Sequence, residues 1–184
     1  MSRELESLAR GIARCRACRL WETRTHAVPG EGPAEADIML VGEGPGEAED
    51  LSGRPFVGRT GEFLNRFLAE RGIERSELFI TSSVKCRPPS NRDPKPDEIE
   101  TCREKWLLPQ IEAIRPRVIL LAGKAAVRSL AGWTGALGKA REMAFTVGGV
   151  PALATYHPTA AMRFPKPRAG LAEDIERARE LAIG

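Results

Sequence analysis

Asp37-Ile-Met-Leu-Val-Gly-Glu-Gly-Pro-Gly46 is a compact apolar run that stops in a cluster of glycines. A run this short, bounded by a turn, is a buried strand, and the glycines form a loop at its carboxyl end. Outward from it, Phe63, Leu64, Phe67 and Leu68 recur at helical spacing within residues 61–71, and residues 78–84 return to a β-rich run. A βαβ unit follows. Residues 117–121 supply a third buried strand, and residues 143–156 two short strands turned at Gly148-Gly149. Further helices are predicted over residues 5–13, 97–114 with a bend at Pro109, 123–130 and 171–182. Strands alternating with helices imply a mostly parallel sheet covered on both faces, with ligands meeting the loops at the strands' carboxyl ends.

The 184 residues suit a single domain over 1–184, and 42% hydrophobic with 29% charged residues is the balance of a globular chain, not a disordered one. No apolar run is long enough to cross a bilayer, and residues 1–14 are charged and amphipathic instead of signal-like. A cytoplasmic monomer without a membrane partner is therefore expected. The net charge of +3 singles out no partner, but its distribution says more. Residues 113–170 hold nine basic residues against Glu142 alone, a local charge of +8, as expected if one face meets a polyanion.

Cys15-Arg-Ala-Cys18 lets two thiolates reach one metal centre from a single turn, while Cys86 and Cys102 flank a proline-rich loop at residues 87–96. A redox pair at the CxxC would leave the other two cysteines without a role; four-thiolate ligation uses them all. Both tetrahedral zinc and a 4Fe-4S cluster accept four cysteine sulfurs, and the spacing leaves both open.

In Gly42-Glu43-Gly44-Pro45-Gly46 the backbone amides are free of side-chain bulk, so an anion or flat ligand can approach closely. The loop matches neither the phosphate-binding P-loop nor the dinucleotide fingerprint. It runs on through Glu47, Glu49 and Asp50 to Arg54-Pro-Phe-Val-Gly58, which carries Phe56 towards the same mouth. His157 directly follows a predicted strand, in a His-Pro context inside the basic segment; His26 has no such setting.

Taken together, Cys15-x-x-Cys18, Gly42-Glu-Gly-Pro-Gly46 with Glu49-Asp50, Gly53-Arg-Pro-Phe-Val-Gly58, Val84-Lys-Cys-Arg-Pro-Pro89, Cys102 and His157-Pro158 carry a family likeness. The sequence resembles the family 4 uracil-DNA glycosylases, iron-sulfur members of their superfamily, over nearly its whole length. The resemblance implies an α/β fold, a three-layer α/β/α sandwich around a mostly parallel four-stranded sheet. It also implies a 4Fe-4S cluster on Cys15, Cys18, Cys86 and Cys102, and excision of uracil or a related deaminated base from DNA. On this likeness, Phe56 stacks on the extruded base, His157 donates a hydrogen bond to its oxygen and Glu43 holds the water. Gly42, Gly44, Pro45, Gly46 and Ser82 belong to the base site, where Glu49 crowds the base's C5 edge. Met162 and Arg163 tip a loop over residues 158–163 that fills the vacated stack.

Two departures stand out. Gly44 and Gly46 occupy positions where another superfamily branch has an aspartate and a tyrosine, so water activation must rest on something weaker. Ser82 stands where the family has an asparagine that reads the base edge; a hydroxyl donates one proton, whereas an amide presents donor and acceptor together. Ser82 keeps an alternative in view, an iron-sulfur DNA-binding protein that recognises damage with altered specificity or without cutting. A nucleotide-metabolising enzyme on the same sheet ranks last, because it leaves the basic segment without a role.

Overall fold

The apolar run forms β1 (Ile38–Gly42), which in the computed structural model lies one in from the edge of a five-stranded sheet. The structure describes residues 2–183; Met1 and Gly184, the ends of the expected 1–184 domain, lie outside the described residues. β2 (Leu78–Ser82) and β3 (Val118–Ala122) flank β1 in parallel, and β5 (Val150–Thr155) continues in parallel from β3. β4 (Phe145–Val147) adds an antiparallel edge, giving the order β2-β1-β3-β5-β4. The expected four strands are thus five, because both arms of the hairpin join the sheet. Gly148 and Gly149 turn that hairpin with φ of 58° and 84°, a conformation that a Cβ would strain.

Alternation along the strands divides the core in two. Leu40, Leu120 and Leu153 face one side and pack with Phe63 and Phe67 of α3 (Arg59–Ala69), Ala161 of α8 (Pro158–Arg163) and Leu171 of α9 (Pro165–Ile183). Met39, Val41, Ile119 and Leu121 face the other side, against Leu5 of α1 (Arg3–Ala13), Ile111 of α5 (Leu108–Ile114) and Val127 of α6 (Lys124–Ala131). Two short helices, α2 (Glu47–Ser52) and α7 (Leu137–Ala140), lie in the connections after β1 and before β4. Each fully buried leucine or isoleucine in these layers contributes about 1.5–3 kcal/mol. Two helical layers on one sheet make the α/β/α sandwich. Among the described residues, no helix is long and apolar enough to cross a membrane.

Three regions depart from the predicted spans. The helix expected over residues 97–114 is split into α4 (Pro96–Cys102), a π-helical turn (Arg103–Leu107) and α5. The irregularity precedes Pro109 instead of sitting on it. Leu108 N–H reaches back five residues to Arg103 O, and this wider turn relieves the clash between a proline ring and the carbonyl one turn before it. α9 begins at Pro165, earlier than the expected 171, because prolines suit a first turn whose N–H groups have no helical partner. The loop expected over residues 158–163 is α8, started by Pro158 at its first position and by the His157 side chain, which accepts from Thr159 N–H.

α9 is fastened by a buried charge. Asp174 is fully buried and accepts from Arg141 Nε at 2.6 Å, while Arg141 also donates to Gly170 O at 3.0 Å. Removing one member of such a pair strands the other. Arg141→Met is expected to destabilise the fold by about 3–5 kcal/mol in urea unfolding.

Candidate active site and cysteine centre

The loops at the carboxyl ends of β1, β2 and β5 enclose a cleft of about 590 Å³. Glu43, Gly44, Pro45, Gly46, Glu49, Phe56, Ser82, His157 and Arg163 all line it, so residues from both halves of the chain share one cavity. Gly42, expected in the base site, is the exception: it is buried and does not line the cleft. Parallel register pairs Gly42 with Ser82, and a Cβ at Gly42 would come within 2.7 Å of the Phe56 ring. Among the described residues no protein group hydrogen-bonds the Ser82 hydroxyl, although the side chain is buried; it is available to a ligand.

Phe56 is held in a conformation that a bulky residue rarely adopts, with φ of 47°. Its carbonyl and that of Pro55 both accept from Arg75, at 3.2 and 2.6 Å, and Arg75 is paired with Glu31 at 2.7 Å. Gly61 in α3 lies so close to the Phe56 carbonyl that no Cβ fits there. These contacts fix the Phe56 ring 5.7 Å from the His157 ring, tilted by 31°. The Glu49 carboxylate ties the two loops together, accepting from Gly46 N–H at 3.0 Å, Val57 N–H at 3.0 Å and Gly58 N–H at 3.2 Å.

His157 has its protonation decided by a backbone donor. Thr159 N–H donates to Nδ1 at 3.2 Å, which leaves Nδ1 without a proton and puts the ring's one proton on Nε2. Loss of hydration on burial pulls the imidazole down to about 4, against a smaller opposing pull from Glu49. His157 is therefore a neutral hydrogen-bond donor near neutral pH.

Burial pushes the Glu43 carboxyl above its ordinary range, and the neighbouring Asp93 charge adds to the rise. The strand-end backbone holds it in place: Val84 N–H donates to Glu43 O at 3.2 Å and Ser83 N–H to Gly42 O at 2.9 Å. A Cβ at Gly44 would meet a Val84 methyl at 2.7 Å, so the glycine loop has no room for another acid there. Glu43 and Pro94 are also walls of a smaller hollow of about 230 Å³, with Lys124, Arg128 and Trp133.

Around the mouth, the two residues expected at a loop tip separate. Met162 is partly buried against the main core, whereas Arg163 lines the cleft and Phe164, just beyond α8, is 59% exposed. The basic segment also thins out, because Arg117, Arg141 and Arg168 pair with Asp37, Asp174 and Glu70. Neither Phe164 nor Arg75 was legible as a site residue from sequence; only the fold gives one its exposure and the other its reach to residues 55–56.

The cysteines lie where the N-terminal segment meets the chain after β2 and the end of α4. Cys86 and Cys102 share a small apolar cluster with Ile12, Leu20 and Ile99, and Cys18 and Trp106 pack against it. Two of the sulfurs receive side-chain N–H groups: Cys15 from Trp106 Nε1 at 3.2 Å and Cys86 from Arg24 Nη1 at 3.0 Å. The π-helical turn carries Trp106 into this position, where its ring leaves no space for a Cβ at Gly11. Burial pushes the Cys102 thiol up to about 12 and raises that of Cys86, which the Arg24 hydrogen bond opposes. Four cysteine sulfurs, two of them met by side-chain N–H donors, are the ligand set that either zinc or an iron-sulfur cluster takes. Among the described residues, no three such groups close into a compact single-ion site.

The chain matches the family model described as the uracil DNA glycosylase superfamily over residues 29–179. A type-4 uracil-DNA glycosylase of Sulfurisphaera tokodaii is 43% identical over 188 residues, covering 97% of this chain and 85% of the relative. Those of Archaeoglobus fulgidus and Thermotoga maritima are 40% and 41% identical, covering 96% and 95% of this chain and 92% and 93% of the relatives.

The histidine geometry is open to a direct check. In nitrogen-detected NMR, His157 is expected to give the neutral Nε2–H signature through the ordinary histidine range and to titrate only at about 4. Titration near its ordinary value would contradict the burial seen here.

Proposed function

Because the chain belongs to the uracil DNA glycosylase superfamily, we propose that it flips uracil, or a related deaminated base, out of DNA and hydrolyses the N-glycosidic bond. The product is an abasic site, the intermediate of base excision repair. The observation that carries this reading is the cleft in which the strained Phe56 ring faces a neutral, Nε2-protonated His157 over an unpartnered Ser82 hydroxyl. A flat base entering there stacks on Phe56, a contact type worth roughly 1–3 kcal/mol.

As the bond between the sugar C1′ and the base nitrogen breaks, negative charge grows on the base. His157 Nε2–H is a preorganised donor for the oxygen that takes up this charge, and a neutral imidazole stabilises it without giving up its proton. Water adds its oxygen to C1′ and loses a proton. Glu43, half-buried at the cleft wall, is the acceptor for that proton. Glu49 works by holding the Phe56 loop against the glycine loop, in addition to facing the base. Arg163 meets the DNA backbone, and the exposed Phe164 fills the vacated stack more readily than Met162, which is engaged with the core.

Cys15, Cys18, Cys86 and Cys102 would hold the 4Fe-4S cluster of the proposed enzyme, since four thiolates are the ligand set such a cluster takes. When bound, the cluster supplies a covalent cross-link between the N-terminal segment, the chain after β2 and the end of α4.

Incubation with uracil-containing single- and double-stranded oligonucleotides, followed by alkaline scission, tests the activity. Strand cleavage is expected, and binding without scission would favour the non-cutting alternative. Ser82→Asn is expected to raise uracil excision, since the amide offers a paired donor and acceptor; an unchanged rate would remove Ser82 from base reading. Asp93→Asn separates the role of Glu43. Without the Asp93 charge the Glu43 carboxylate persists to lower pH, so the acid limb of kcat/KM is expected to move to lower pH.

A further inference from the structure

Lys85 lies between the two centres and has no acidic partner. It is 1% exposed, yet among the described residues its Nζ forms no ion pair with a carboxylate. An isolated buried ammonium is strongly destabilising, so something must compensate it. Its hydrogen bonds run towards the cleft. Nζ donates to the Thr81 hydroxyl and, at 3.0 Å, to the Ser82 carbonyl. Thr81 gives its own proton to Pro29 O at 3.0 Å and therefore accepts from the lysine. On the other side the chain runs directly into Cys86, which shares an apolar cluster with Cys102, and the thiolate forms of these two cysteines are the groups that would favour the Lys85 ammonium.

We propose that Lys85 is a positioning residue that links the cysteine centre to the base pocket: its charge balances the Cys86 and Cys102 thiolates while its hydrogen bonds hold the end of β2 that presents Ser82. The inference rests on reading the four cysteines as cluster ligands. With the thiolates bound to a cluster, the buried ammonium faces fixed negative charge. Without them it is stranded. The lysine and the cluster thus stabilise each other, and the geometry at Ser82 depends on both.

Lys85→Met removes charge and hydrogen bonds; Lys85→Gln removes the charge and keeps a donor for Thr81 and Ser82. Three measurements on the purified, anaerobically handled full chain compare them with wild type: iron retention, the reduction midpoint of the chromophore, and the loss of urea resistance when iron is stripped by a chelator. Both variants are expected to hold iron about 10–100-fold less tightly, as when other groups supporting a metal's ligands are removed. Their midpoints are expected to be more negative, because a cation beside the sulfurs favours the reduced cluster. Iron removal is expected to weaken them less than wild type, since it strands no charge. On uracil-containing oligonucleotides, kcat falls with KM little moved in Lys85→Met, and Lys85→Gln recovers part of it. Variants with the wild-type midpoint and the wild-type loss on stripping overturn the inference, as does failure of both to fold, which would mark Lys85 as packing alone. A colourless, iron-free wild-type protein would instead overturn the cluster assignment.

Discussion

The parallel pairing of β1 with β2 is the constraint on which both centres depend. It sets Gly42 beside Ser82, so the two chains leave the sheet side by side, and Ser83 and Val84 N–H groups then pin the glycine loop through Gly42 and Glu43 carbonyls. One exit becomes the glycine loop that lines the cleft. The other runs on to Cys86 and into the cysteine centre. A slip of the register by one residue would turn Ser82 to the opposite face and separate the glycine loop from its partners.

Much of what surrounds the cleft is polar and half-buried, and its hydrogen bonds join one loop to the next or cap the helix that follows. Glu49 accepts from two loops, Arg75 donates to the carbonyls of residues 55 and 56, and Thr159 fixes the proton on His157. Such groups are destabilising when unpaired and rigid when paired, which is how a backbone as strained as that of Phe56 persists. The same rule governs Lys85 and Asp174. Asp174 has a guanidinium beside it, whereas Lys85 has a hydroxyl and a carbonyl and, among the described residues, no carboxylate.

Motifs made of backbone-limited or chemically distinctive residues were readable in advance. Glycines 42, 44 and 46 signalled close approach, and the structure returns a Phe56 ring, a Val84 methyl and a Glu49 carboxylate within reach of the missing Cβ atoms. The cysteine spacing indicated four-thiolate chemistry without choosing the metal. Charge was less legible. The basic segment between residues 113 and 170 reads as one patch, but pairing with Asp37, Asp174 and Glu70 takes three of its cations out of it. Helix limits also shifted wherever proline was involved, since proline breaks a helix from within but suits its first turn, and sequence does not say which applies.

By itself, then, the sequence determined the strands and their alternation, the glycine loop, the spacing of the four cysteines and the histidine after the last strand, because each is a local property of residue type and spacing. Tertiary structure decided what those residues can do. It made His157 neutral with its proton on Nε2, gave Glu43 an acidic neighbour in Asp93, turned Met162 inward while leaving Phe164 out, and buried Lys85 between two sites. Protonation, exposure and charge balance come from neighbours distant in sequence, and only folding supplies those neighbours.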